Sequence, residues 1–387
     1  MRILYSFPHR VGAPGIGVTA EQQIRGLVAH GHDVDLWCAS SAVHVAGVRS
    51  ITSTLEARGR RIPRRALGFE RALAYHDWRV ARALRGAGSR YEAVHCWGLG
   101  SLRTLEAAQT VGVHSFREVT NTHTAFSYAR ASREARALGV RMPRNHSHRP
   151  DRRRLRMEER EFRTADTLLV PSDYVRQTFR DRGFDDQQLV RHQYGFDPAR
   201  FPEPTAPTAD THMPLRACFV GHGEPRKGLH HALSAWIESG VAATGELVVC
   251  GRILPAYGRV LSPLLGHRSV TTIGFTSDVG AVMRACDVLI LPSVEEGSAL
   301  VTYEAQASGC VLLVSEAAGA VVGIDTALVH RPGDVAALAA HLRLLDADRS
   351  RLAAMRARTL ARRGQLTWEA AASRLDAIYR ARVEDSG

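Results

Sequence analysis

The sequence predicts an α/β protein of two tandem Rossmann-like domains whose facing sheet edges form a cleft, and three observations carry that prediction. Short apolar, β-branched runs alternate with amphipathic stretches along the whole chain, the rhythm of βα units stacked into parallel sheets. A stretch with Pro202, Pro204, Pro207 and Pro214 among Thr, Ala and Asp interrupts the rhythm, which then restarts, as an interdomain linker would. Finally, Ala165-Asp166-Thr167-Leu168-Leu169-Val170-Pro171-Ser172 shares its pattern with Cys286-Asp287-Val288-Leu289-Ile290-Leu291-Pro292-Ser293, which points to a duplicated architecture. In each, a fully apolar strand is stopped by Pro-Ser at its carboxyl end, the end at which open α/β sheets bind ligands.

Taken in order, strands are expected at residues 3–7, 33–38, 93–97, 115–120 and 167–171 of a first domain spanning 1–199, with a helix over 19–30. Residues 200–214 form the linker. The second domain, 215–367, takes strands at 217–220, 246–250, 270–274, 287–291 and 310–314, each followed by a helical pattern. A length of 387 residues with 45% hydrophobic content suits two or three domains with ordinary cores, and 23% charged residues argues against long disorder. No apolar run approaches the ~18–20 residues needed to cross a bilayer. The amino terminus enters a strand and reaches Pro8 and His9 too soon for a signal peptide. Cys38, Cys96, Cys218, Cys250, Cys286 and Cys310 lie far apart in apolar sequence without a CxxC pair, so buried free thiols are expected rather than disulfides or zinc ligands. The expectation is a soluble, cytoplasmic protein.

The formal charge of +12 asks for an anionic partner: nucleic acid, membrane surface or phosphorylated small molecule. Much of it is local. From Arg130 to Arg160 eleven arginines face only Glu134, Asp151, Glu158 and Glu159. No interleaved aromatics or nucleic-acid motif accompany them, so nucleic acid is not expected. The segment is either a solvated helix pair or a surface that recruits an anionic acceptor or an anionic membrane carrying one.

Three loops have the residue types for chemistry. Gly12-Ala13-Pro14-Gly15-Ile16-Gly17 follows the first strand, where glycines let backbone approach a ligand at a helix amino terminus; a plain tight turn explains it equally. The dinucleotide fingerprint fails there, for no third glycine follows at the right place and Asp33 and Asp35 arrive too early. Gly221-His222-Gly223-Glu224-Pro225-Arg226-Lys227-Gly228 again joins a strand to a helix, and Lys227 is the only lysine in the chain. A compact ammonium can meet a single phosphate oxygen where arginine's planar fork cannot, so Lys227 is expected to contact phosphate. In Pro292-Ser293-Val294-Glu295-Glu296-Gly297-Ser298-Ala299-Leu300-Val301-Thr302-Tyr303-Glu304, Glu296 and Glu304 lie on roughly the same side, and carboxylates so placed suit diols.

At these residues the chain resembles the retaining glycosyltransferases of family 4, which have the GT-B fold. Glu296 and Glu304 match the family's Glu-x7-Glu. Further matches follow in order: the amino-terminal glycine loop, Gly31-His32-Asp33-Val34, His123 after the fourth strand, Tyr194-Gly195-Phe196-Asp197, Arg226-Lys227-Gly228, and a final helix with Trp368 and Tyr379. The resemblance implies that this helix, 368–387, packs back on the first domain. It implies catalytic roles for His123, Lys227 and Glu296. Lys227 with Arg226 would neutralise the donor diphosphate, and Glu296 with the amides of Gly297, Ser298 and Ala299, next to Leu300, would hold the sugar. Glu304 would bind the ribose, and Ile273, Gly274 and Phe275 would lie near the base. Gly15 and Gly17 would approach from the other domain, and His123 would aim a ring nitrogen at the sugar.

Two departures stand out. The arginine usual five residues before the lysine is His222, and the common Glu-Gly-Phe-Gly is Glu-Gly-Ser-Ala, which alters the sugar pocket. No Asp-x-Asp of the kind that holds a metal–diphosphate complex is apparent, and arginine and lysine can do that electrostatic work, so no metal or cofactor is expected. The implied activity is a retaining hexosyl transfer from a nucleoside-diphosphate sugar, UDP- or GDP-linked, to a small-molecule, oligosaccharide or lipid-linked hydroxyl. The alternatives are a GT-B phosphorylase or sugar-nucleotide epimerase, or a non-catalytic nucleotide-sugar-binding protein.

Overall fold

The computed structural model describes residues 1–57, 60–61, 68–87, 90–204 and 213–384. Its first sheet holds β1 (Arg2–Val11), β2 (Asp33–Ser41), β3 (Ser50–Ser53), β6 (Ala93–Trp97), β7 (His114–Glu118), β8 (Thr167–Val170) and β9 (Leu189–Arg191), in the order β3-β2-β1-β6-β7-β8-β9. A two-stranded antiparallel hairpin, β4 (Glu56–Ala57) and β5 (Arg60–Arg61), stands apart. The second sheet holds β10 (Arg216–Val220), β11 (Glu246–Cys250), β12 (Val270–Gly274), β13 (Val288–Leu291), β14 (Val311–Ser315) and β15 (Ala327–His330), in the order β12-β11-β10-β13-β14-β15. All pairings within the two sheets are parallel. Central strands such as β6, β8, β13 and β14 are buried along their whole length, which is why they read as unbroken apolar runs.

Each sheet reverses its winding beside its first strand, between β1 and β6 and between β10 and β13. Loops leaving the carboxyl ends of strands diverge at such switch points and leave a crevice for ligands. The helices that matter below are α1 (Ile16–Ala29), α2 (Phe69–Ala87), α3 (Leu102–Val111), α4 (Thr124–Ala137), α5 (Arg152–Thr164) and α6 (Asp173–Arg180) in the first half. In the second half they are α7 (Leu229–Glu238), α8 (Pro255–Leu265), α9 (Val279–Arg284), α10 (Leu300–Ala307), α11 (Val335–Ala347), α12 (Arg349–Ala361) and α13 (Trp368–Glu384). The last of these returns to the first domain. A Cβ on Gly26 of α1 would overlap Ala372, His32 Nε2 lies 2.7 Å from Asp376, and Tyr379 is fully buried against His95 and Phe116.

Two expectations need correction. The first helix starts at Ile16, not at residue 19, with Gly15 as its N-cap, so Gly17 sits inside its first turn. The internal echo is not a duplicated position: β13 neighbours the first strand of its sheet, whereas β8 lies two strands further from β1. Both runs are apolar because both strands are covered on two faces, and that burial alone produces the likeness. The expected linker falls largely on 205–212, outside the described residues. All six cysteines are buried free thiols.

Candidate active site

Adjacent strands at the second switch point bring the key residues together. β10 and β13 pair through Ala217 and Val288, so the turn after one meets the loop after the other. The turn is a single 3-10 turn, Pro225–Lys227, closed by Gly228 with φ 71°. A Cβ there would overlap the Pro292 carbonyl, so only glycine lets the turn lie this close to the end of β13. Lys227 is thereby placed in an ion pair with Glu296.

Arg226 is more deeply enclosed. Its Nε donates to Glu224 at 2.9 Å and its Nη1 to the Glu295 carbonyl at 2.9 Å, with the Glu296 carboxylate 3.3 Å away. Burial works against the guanidinium charge, but Glu296, Glu224 and Glu295 more than offset it and raise its pKa. Burial would likewise lift the Glu296 carboxyl, yet Arg226 and Lys227 hold it down at about 2, so it is ionised at neutral pH. Glu224 is also held below the usual carboxylate range: burial opposes this, and His146 and Arg226 prevail.

The first domain closes directly on this cluster. Thr122 donates to Glu295 Oε1 at 2.6 Å, Ser172 donates to the Gly297 carbonyl at 2.6 Å, and His146 Nε2 lies 2.7 Å from Glu224. A Cβ on Gly297 would overlap the Thr120 carbonyl, which explains a glycine here. Beyond it, Ser298 meets the Tyr303 hydroxyl at 2.9 Å, and Ala299 N-caps α10, which begins at Leu300. Glu304, on α10, is half-buried, and among the described residues its carboxylate has no hydrogen bond or ion pair. Burial raises its pKa against the pull of Arg200. Ile273, Gly274 and Phe275 end β12 as an exposed lip, where Phe275 is 71% exposed and stacks under the Arg252 guanidinium at 5.4 Å. His222 stands beside them, its Nδ1 2.8 Å from the Arg252 carbonyl.

His123 does not join this group. Its ring is fully buried among Phe162, Phe179 and Phe184, with centroids 5.0–5.9 Å away, and its Nδ1 accepts from the Ala125 amide to cap α4. Burial, with Arg182, Arg163 and Arg117 nearby, pushes it down to about 3, so it is neutral. Its backbone instead anchors the 120–122 loop through a 3.0 Å bond to Thr178. Gly17 is also enclosed, a Cβ there meeting the Arg10 carbonyl at 2.5 Å, while Gly15 is exposed with φ 84°. The two Asp-x-Asp triplets are structural: Asp35 holds Arg49 and Ser50, and Asp348 caps α12.

The arginine-rich segment borders a cavity of about 1230 Å³ between α2, α3, the 144–151 loop and α5. Asp151 is committed to capping α5, Glu70 pairs with Arg153, and Glu106 pairs with Arg160. Arg144, Arg149 and Arg156 line the cavity with no carboxylate partner among the described residues, and Arg103 joins them with its backbone N–H donating to Asp77 at 2.9 Å. His146 belongs to the same wall, so the cavity adjoins Glu224 and the Arg226 cluster. Among the described residues, no helix is long and apolar enough to cross a membrane.

Sequence reasoning missed Glu224, Glu295, Thr122, Ser172 and His146. Glu224 and Glu295 adjoin residues it did single out, but besides Arg226 their partners, His146 and Thr122, come from the other domain.

Two parallel-sheet Rossmann-like domains closing on a basic turn and a glutamate loop make up the GT-B fold. The chain matches the family described as Glycosyltransferase Family 4 over residues 14–200 and that described as Glycosyl transferases group 1 over residues 214–348, and it belongs to this glycosyltransferase family. It is 26% identical to the MMP alpha-(1->4)-mannosyltransferase of Mycolicibacterium hassiacum over 98% of both chains. Its fold is similar to sucrose-phosphate synthase from Thermosynechococcus elongatus, with a TM-score of 0.71 at 20% identity over 98% of both chains. It is also similar to Anabaena HepE, solved with UDP-glucose, with a TM-score of 0.64 at 15% identity over 98% of this chain and 100% of that one.

Proposed function

We propose that this glycosyltransferase moves a sugar from a UDP- or GDP-sugar to an anionic hydroxyl acceptor, with retained anomeric configuration and without a catalytic metal. The observation that carries the reading is the Lys227–Glu296 pair at the switch point, backed by Arg226. An ammonium held by a carboxylate is already in place for a diphosphate. When the diphosphate takes Lys227, Glu296 is released to accept hydrogen bonds from the sugar hydroxyls. Arg226, engaged by three glutamates, serves to fix the turn and adds positive potential. The unpaired Glu304 carboxylate takes the ribose diol, and the Phe275 lip takes the base. As the bond from the anomeric carbon to phosphate oxygen breaks, Lys227 meets the charge gathering on the leaving group. The acceptor oxygen bonds the same face, and its proton passes to the departing phosphate oxygen. Same-face attack fits a site where Glu296, the carboxylate nearest Lys227, is already committed to that lysine and the sugar. His123 acts on this site only by anchoring the 120–122 loop against Gly297.

The test separates the two glutamates. Glu304→Ala should weaken affinity for UDP or GDP by calorimetry, because a ribose contact is the same in ground and transition states. Glu296→Ala should lower turnover without weakening nucleotide affinity, since the sugar contact strengthens as charge develops on the ring and Lys227 is left free for the diphosphate. Equal loss of affinity in both variants would refute the assignment.

The acceptor class follows from the cavity. Its arginines are exposed and line a partly open recess of the first domain rather than a flat face, which favours a small anionic acceptor over a membrane surface. Combining Arg144→Ser, Arg149→Ser and Arg156→Ser should raise the KM for a phosphorylated acceptor at least about tenfold, at roughly 0.5–1 kcal/mol per exposed contact, and leave the donor KM unchanged. Retained acceptor kinetics, with binding of the wild type to anionic vesicles at low salt, would transfer the role to a membrane.

A further inference from the structure

Outside the donor site, one cluster of metal-ligating side chains bridges the two domains. Glu134 projects from the last turn of α4 in the first domain, and His230 and His231 from the first turn of α7 in the second. Their donor atoms all lie within 4.8 Å of one another. His230 Nε2 is 2.7 Å and His231 Nε2 is 2.8 Å from the same oxygen, Glu134 Oε1.

We infer that Glu134, His230 and His231 form a site for one divalent transition-metal ion of the zinc class, which latches α4 to α7 and so holds the two domains closed. The donor set is two imidazoles and a carboxylate, leaving a fourth position for water, a combination suited to zinc. The geometry is close to what the ion needs. Bonds of ~2.0–2.1 Å at tetrahedral angles place ligand atoms about 3.3 Å apart, so each N···O separation has to open by only about half an ångström.

Two further features support a ligand rather than a simple ion pair. His231 Nε2 is buried from solvent and makes no hydrogen bond, although the carboxylate oxygen is near, so the contact is out of line for an N–H donor. The His230 ring is already oriented: the fully buried Tyr257 accepts from its backbone N–H at 2.9 Å and lies 2.6 Å from Nδ1, which turns Nε2 toward Glu134. An outer partner on the second ring nitrogen is what metal-bound histidines have.

The test needs no transferase activity, so it stands or falls apart from the proposed reaction. Tag-free full-length protein is dialysed to equilibrium against zinc. The wild type should bind one ion in the micromolar range or tighter, and Glu134→Gln and His231→Asn should each weaken it at least tenfold. Small-angle scattering should show the wild type more compact with zinc than without, and neither variant responding. No saturable site, or equal binding by wild type and both variants, would overturn the inference. Loss in His231→Asn but not in Glu134→Gln would also overturn it, since the ion would then not join the domains.

Discussion

Lys227→Ala is expected to lower turnover by roughly 10²-fold or more, the scale of losing one preorganised charge-stabilising donor. The effect should fall on kcat more than on the donor KM. In the free protein Lys227 already spends its charge on Glu296, so binding the diphosphate exchanges one anion for another. Charge gained by the leaving group at the transition state has no such exchange, and there the ammonium acts in full. Lys227→Arg should restore less than a tenth of the loss. The turn around Lys227 is pinned by Gly228 against Pro292 and by Arg226 within three glutamates, so it cannot shift to seat a larger planar group. Steady-state kinetics on the alanine and arginine variants check this, and an arginine variant with wild-type kinetics would remove the case for a compact cation.

How much could be read from the sequence depended on whether a feature was local. The strands at 93–97, 246–250 and 270–274 match β6, β11 and β12 to the residue. The first two are apolar interior strands, and β12 is marked by Val270-Thr271-Thr272-Ile273 although it is largely exposed. Within the two parallel sheets the strands not foreseen are β3, β9 and β15, each at the edge of its sheet, and the short β4–β5 pair was not foreseen either. Edge strands are covered less, so Ser50–Ser53 and Leu189–Arg191 carry no apolar run to announce them. Lys227 and Glu296 were legible because a lone lysine and a glutamate after a buried strand are statements about single loops. That the two would pair required knowing that β10 and β13 are neighbours. The ring of contacts around them was hidden for a stronger reason: Thr122 and Glu295 are 173 positions apart, and His146 and Glu224 are 78 apart. The burial of His123 has the same origin, since Phe162, Phe179 and Phe184 close over it from elements that follow much later in the chain.

Glu295→Ala is expected to cost about 2–4 kcal/mol of stability. Glu295 is fully buried where the domains meet, accepting from Thr122 of the first domain and lying 3.4 Å from Arg226 of the second. Removing one member of a buried charged pair leaves the other without compensation, typically about 3–5 kcal/mol. Arg226 keeps Glu224 and Glu296, which limits the loss, but Thr122 is left with a buried hydroxyl and no acceptor. Burial also lifts the Glu295 carboxyl above its unfolded value, against the pull of Arg226 and Thr122. The charged form is therefore the less favoured one, and the contribution of this group falls as pH rises through its folded pKa. It follows that Glu295→Gln, which retains the acceptor for Thr122 without the charge, should recover more than half of the stability lost in the alanine variant. Calorimetric unfolding of the three proteins decides the matter, read transition by transition because a two-domain chain need not unfold in one step. An alanine variant that melts like the wild type would show that Thr122 and Glu295 touch without holding the domains together, and closure would then rest on the Ser172–Gly297, His146–Glu224 and His230–Glu134 contacts.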